Sequence, residues 1–128
     1  MLLNLTDLSD EPLHRQIFRQ IRAQILAGHL AAGQKIPSIR ELAREQRVSA
    51  ITVQRAYEDL ERTGVIRGRR GKGFFVAELP SGTRRQMAEE RALEMLSVVV
   101  KEILDEGLTP RQVRSLTNKI LAGGGGEE

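Results

Sequence analysis

A chain of 128 residues supports one small domain with an appendage. Aromatic residues make up only 3% of it and cysteine is absent, so the core must be built from Leu, Ile, Val and Ala, and disulfides and thiolate metal sites are excluded. The formal net charge is +3 and its excess lies early, with 13 Lys/Arg against 9 Asp/Glu from Met1 to Leu79 but 7 against 8 from Pro80 onward; a basic first part is the electrostatic footprint expected of a nucleic-acid binder.

Met1 to Asp10 is a lead-in whose leucines, Leu2, Leu3, Leu5 and Leu8, are expected to pack on the body in extended form. Asp10 or Glu11 is placed to cap the first helix, with Pro12 near its first turn. Leu13, Ile17, Ile21 and Ile25 recur at a spacing of four, with Phe18 beside them, and give one apolar face to a helix that runs to about Ala27 and stops at Gly28. Arg15, Arg19 and Arg22 fall off that face and read as solvated. After a connector from Gly28 to Gly33, Gln34-Lys35-Ile36 reads as a short strand, ended by Pro37.

Ser38 and Glu41 stand at capping-box spacing and open a helix to about Gln46 that buries Ile39, Leu42 and Ala43. Arg40 lies on its exposed side, where a phosphate or a base edge could be met. A tight Arg47-Val48-Ser49 turn leads into a second helix, about Ala50 to Thr63. Val53, Ala56, Tyr57 and Leu60 share its core stripe, while Ile51, Arg55, Glu58 and Arg62 point the other way and Thr52 and Gln54 flank them. Its N-terminal end offers Ser49, Ala50, Ile51, Thr52, Gln54 and Arg55, none of them acidic, beside free backbone N–H groups that suit a phosphate. Past Gly64, two short strands, Val65–Arg69 and Phe74–Ala77, flank a turn in which Gly71 and Gly73 permit positive φ. Arg67, Arg69, Arg70 and Lys72 put four cations within six residues and no anion, and the loop lacks the spacing of a nucleotide-binding P-loop. A wing lying on the DNA backbone or in the minor groove fits it.

Pro80-Ser81-Gly82 is a break. A long helix follows, about Thr83 to Glu106, of roughly 35 Å, with apolar residues around much of its circumference, among them Leu93, Met95, Leu96, Val98, Val99 and Leu104. Gly107 stops it, and Thr109, Pro110 and Gln112 open a last helix with Val113, Leu116, Ile120 and Leu121 on one stripe. That last helix is too short to cover the long one, which leaves the winged-helix body of the same chain or a second copy to cover it; the break at Pro80-Ser81-Gly82 favours the second copy. Gly123 to Glu128 is expected to be a disordered tail.

The ordered run Gly33-x-x-Ile36-Pro37-Ser38-x-Arg40-x-Leu42-Ala43, Val48-Ser49-x-x-Thr52-Val53-x-x-Ala56-Tyr57-x-x-Leu60, Gly64-x-Ile66 and Arg70-Gly71-x-Gly73-x-x-Val76 resembles the DNA-binding domain of GntR-family bacterial transcription regulators. The resemblance covers about Glu11 to Ala77, and the short helical remainder is similar to the small YtrA-type branch. It implies that Arg40, the residues from Ser49 to Gln54 and the glycine-containing wing tip touch DNA. Ile51 departs from the family pattern, which commonly has a polar residue there, so no operator sequence carries over.

Composition and resemblance together give a mainly α fold with a small β-wing. A winged helix-turn-helix over 11–79 precedes a two-helix dimerisation hairpin over 80–122 and a tail over 123–128. The candidate DNA-binding residues are Ser38, Arg40, Ser49, Ala50, Ile51, Thr52, Gln54, Arg55, Arg69, Arg70, Gly71, Lys72 and Gly73. The expected partners are a double-stranded operator with an inverted repeat and a second copy of the chain, in a repressor. A place between subunits stays open to a small-molecule effector. The alternative is a winged-helix adaptor that recruits a protein through its last helices. An enzyme is not expected: His14 and His29 lack metal-ligand spacing, no nucleophile, base and orienting group align, and no cofactor site is seen. No run approaches the ~20 apolar residues of a membrane span and the N-terminus has no signal-peptide pattern, so a cytoplasmic location is expected.

Overall fold

Three isoleucines one helical turn apart set the inner face of the first helix. The computed structural model describes residues Met1–Gly123, and the expected tail beyond them, 124–128, lies outside the described residues. Helix α1 spans Leu13–Leu26, and Ile17, Ile21 and Ile25 on it are fully buried. Each such side chain contributes about 1.5–3 kcal/mol when removed from water. Against α1 pack α2 (Ile39–Gln46), which supplies Leu42, and α3 (Ala50–Arg62), which supplies Val53, Ala56, Tyr57 and Leu60. Ile39 and Ala43, expected in the core with Leu42, are only half-buried.

Strand β1 (Lys35–Ile36), β2 (Ile66–Arg69) and β3 (Gly73–Val76) form an antiparallel sheet in the order β1-β3-β2, with Lys35 opposite Phe75 and Arg69 opposite Gly73. Ile36, Ile66 and Val76 close the core from the sheet side. The fold is thus mainly helical with a small wing.

The start of α1 differs from expectation. Pro12 takes the N-cap position and no side chain caps the helix. Glu11 instead turns to Arg19, at 2.9 Å. Of the lead-in's leucines, Leu3 and Leu5 are half-buried while Leu2 and Leu8 are exposed, and side chains of α1 hold the segment as well. Gln16, Gln20 and Gln24, four residues apart on α1, grip the backbone of residues two apart on the lead-in. Gln24 Nε2 donates to the Leu2 carbonyl at 2.7 Å. Gln20 donates to the Asn4 carbonyl and accepts from the Asn4 N–H, both at 2.7 Å. Gln16 does the same to Thr6, at 2.9 and 3.0 Å, and also donates to the Glu11 carbonyl. The match is metric: four helical residues rise ~6.0 Å and two extended residues ~6.6 Å, so amide side chains can stand in for a neighbouring strand.

Both capping boxes form. Ser38 Oγ accepts from the Glu41 N–H while the Ser38 N–H donates to the Glu41 carboxylate, and Thr109 and Gln112 do likewise. α2 ends at Arg47, which is left-handed at φ 57° and ψ 46°, the one non-glycine residue with positive φ among those described. That conformation costs an ordinary L-residue about 1–2 kcal/mol.

The chain divides into two compact units, the first ending at Arg85 and the second beginning at Gln86. Helix α4 spans Thr83–Asp105 and α5 spans Pro110–Gly123, so Gly123, expected in the tail, is the last residue of a helix. Neither helix buries a single residue. Leu93 is 68% exposed, Val98 60% and Ile120 71%.

Candidate nucleic-acid interface

The position of α3 follows from its stripe. With Val53, Ala56, Tyr57 and Leu60 turned inward, Ile51, Gln54, Arg55 and Glu58 are left exposed. Ser49 caps the helix, its Oγ accepting from the Thr52 N–H at 3.1 Å, and the Ser49 and Thr52 hydroxyls lie 2.8 Å apart. No acidic residue stands in the first turn. The N–H groups of Ala50 and Ile51 therefore face solvent at the positive end of the helix dipole, with no side chain of their own helix competing for them. Gln54 donates to the Glu58 carboxylate at 3.2 Å, so it must exchange that bond for any base edge.

Ser38 and Arg40 stand at the opening of α2. The Ser38 oxygen is committed to the cap, and the Ser38 backbone N–H, then its hydroxyl, hold the Glu41 carboxyl below its ordinary value. Arg40 is exposed.

The wing tip is built by two glycines. Gly71 has φ 75° and Gly73 φ 106°, a region that side chains rarely enter, and the Lys72 N–H closes the turn on the Arg69 carbonyl at 2.9 Å. Arg69 lies over the Phe75 ring, 5.7 Å from its centroid. Arg70, Gly71 and Lys72 are exposed.

Two contacts tie the wing to α3, neither of them expected from the sequence. The Glu61 carboxylate accepts from the Gly68 N–H at 3.0 Å. The Tyr57 ring meets the Phe74 ring edge-on, with centroids 5.0 Å apart. A glycine inside a strand was the only available hint, since it marks a close approach. The thirteen candidate residues thus fall on three features of the first unit: the opening of α2, the first turns of α3 and the wing tip. No hydrogen bond among the described residues joins the wing tip to the first turn of α3.

Charge pairing leaves the cations of these features open, as it does Lys35, Arg44 and Arg67 elsewhere in the first unit. Arg19 and Arg62 are in ion pairs, with Glu11 and Asp59. Among the described residues, the charged groups of Arg40, Arg47, Arg55, Arg70 and Lys72 make no hydrogen bond or ion pair. Cations left unpaired on one set of surface features are available to phosphates at no cost in broken bonds.

The sequence pattern of the bacterial regulatory proteins of the gntR family matches residues 13–76, half of the chain. Over 116 residues the chain is 33% identical to the HTH-type transcriptional regulator YhcF of Bacillus subtilis, covering 91% of this chain and 95% of that one. It is 36% identical over 77 residues to the HTH-type transcriptional repressor YtrA of the same organism, covering 60% of this chain and 59% of YtrA. Among solved structures, a GntR family transcriptional regulator from Listeria monocytogenes superposes with a TM-score of 0.79 at 30% identity, over 90% of this chain and 98% of that one. AraR(DBD) in complex with operator ORE1 superposes with a TM-score of 0.51 at 31% identity, over 60% of this chain and 94% of that one.

Proposed function

Because the chain belongs to the gntR family of bacterial regulatory proteins, and is with that family a DNA-binding transcriptional regulator, we propose that it is a repressor that binds an inverted-repeat operator as a homodimer. The observation that carries the DNA part is the set of exposed cations without an ion pair at the openings of α2 and α3 and on the wing tip, together with a first turn of α3 that holds no acidic residue. On this reading Ser49 to Arg55 enter the major groove, Arg40 meets a phosphate or base edge beside it, and Arg69 to Gly73 lie along the backbone or the minor groove. Residues 11–79 then carry DNA binding and 80–122 pair the subunits. The exposed apolar residues of α4 and α5 support the pairing, since a soluble chain seldom leaves so much apolar surface to water. A two-fold partner covers the same patch twice and sets two copies of α3 for half-sites about one helical turn apart, or a multiple of it. The repressor relatives support the sign of regulation, which occlusion of a promoter would produce.

Fluorescence anisotropy on a duplex from the promoter of the chain's own gene tests the reading. Two subunits per duplex are expected, with a large loss when one half-site is scrambled. Equal affinity for a single half-site overturns the dimeric operator, and transcription in vitro that rises on adding the protein overturns repression.

A further inference from the structure

Arg47 occupies the turn between α2 and α3 in the left-handed conformation, at φ 57° and ψ 46°. Glycine adopts it freely and asparagine with little strain, whereas arginine does not. Among the described residues, the fold makes no hydrogen bond or ion pair through the arginine side chain. Its backbone N–H closes α2 on the Ala43 and Arg44 carbonyls, which any residue but proline would do. Its side chain is exposed and, among the described residues, bonded to nothing. Asp7 lines the same shallow depression as Arg47, Ser49 and Thr52, yet no ion pair joins Asp7 to Arg47. The chain therefore keeps a conformationally costly residue with an idle guanidinium two positions before the cap of α3. Strain kept where the fold has no use for it points to function.

We propose that Arg47 is a phosphate clamp. Its guanidinium takes a DNA phosphate at the N-terminal end of α3, where free N–H groups and the helix dipole already favour an anion, and so fixes the depth of α3 in the groove. This rests on the DNA-binding reading above. Arg40 and the wing hold the duplex elsewhere, so Arg47 acts as a positioning contact that serves all sequences alike.

The test compares Arg47→Asn and Arg47→Lys with the unaltered chain. Binding to a mixed-sequence DNA duplex is titrated across salt, and each protein is melted. Arg47→Asn is expected to melt no lower than the unaltered chain and to bind roughly tenfold more weakly per subunit, as for one lost charge-assisted hydrogen bond. Its salt slope should be shallower by about 0.9 per subunit. Arg47→Lys should keep most of the affinity and the full slope. Unchanged affinity and slope in Arg47→Asn overturns the clamp, as does a lowered melting temperature accompanying the loss, which would make the guanidinium structural. If the unaltered chain itself fails to hold the duplex at low salt, the DNA-binding reading falls and the clamp with it, an outcome distinct from the first two.

Discussion

Tyr57 joins the helix-turn-helix to the wing from a single position. Its hydroxyl donates to the Pro37 carbonyl at 2.7 Å, just ahead of α2, while its ring abuts Phe74 on β3. Burial, and after it the negative charges of Glu45 and Glu41, push the phenol well above its ordinary value of 10.0. A raised value means that the folded state holds the proton longer than the unfolded one. The stability it contributes is complete below pH 10.0 and is lost as pH rises toward the folded value. Tyr57→Phe should cost about 1–2 kcal/mol in urea denaturation at neutral pH, since the Pro37 carbonyl loses its donor. The variant should also lack the decline that the unaltered chain shows above pH 10.0. An identical alkaline decline in both would assign it to another group. Ile51, 67% exposed on the first turn of α3, is expected to touch a thymine methyl, a known mode of direct readout. Uracil substituted for thymine along the operator should weaken binding at one position per half-site; no loss anywhere would reject the contact.

The wing works as an element only if it is held at a set angle to α3. At Gly68 a Cβ would lie 3.0 Å from the Glu61 carboxylate and 3.2 Å from the Phe74 ring. Gly68→Ala should therefore push the wing off α3, cost about 1–3 kcal/mol and weaken DNA binding beyond what the stability loss explains, as a gel shift at low temperature would show. Arg70→Ala and Lys72→Ala should instead leave stability alone, weaken all sequences about equally and flatten the salt slope; a change of sequence preference would mean that the wing reads bases. How far these devices can be read from the chain depends on their range. The α3 stripe and both capping boxes are periodic or local patterns, and all formed as read. The start of α1 departs from expectation because an acid beside a proline looks like a cap, while the Glu11 carboxylate bonds Arg19 instead. The three glutamines carry no signal in the sequence, since their partners are backbone atoms of a segment with no pattern of its own. The Glu61–Gly68 bond and the left-handed Arg47 are set by tertiary packing and leave no local trace.

At the scale of the whole chain the two units differ in where their stability resides. The first has a closed core from α1, α2, α3 and the sheet. A chain ending at Leu79 should therefore fold, remain monomeric in light scattering and bind the operator far more weakly, having lost the gain in effective concentration from a tethered second site; a truncated chain that still dimerises would move the subunit contact into the first unit. Helices α4 and α5 bury no residue, and an isolated helix as short as the 14 residues of α5 is marginal in water. On the proposed dimer, their order is coupled to the encounter of two chains and obeys mass action. On the dimer reading, dilution dissolves the second unit while leaving the first intact, and melting should show one transition that ignores protein concentration and one that follows it. Below the dissociation constant of the pair, promoter occupancy then climbs as the square of the copy number, and a modest fall in expression is enough to release the gene.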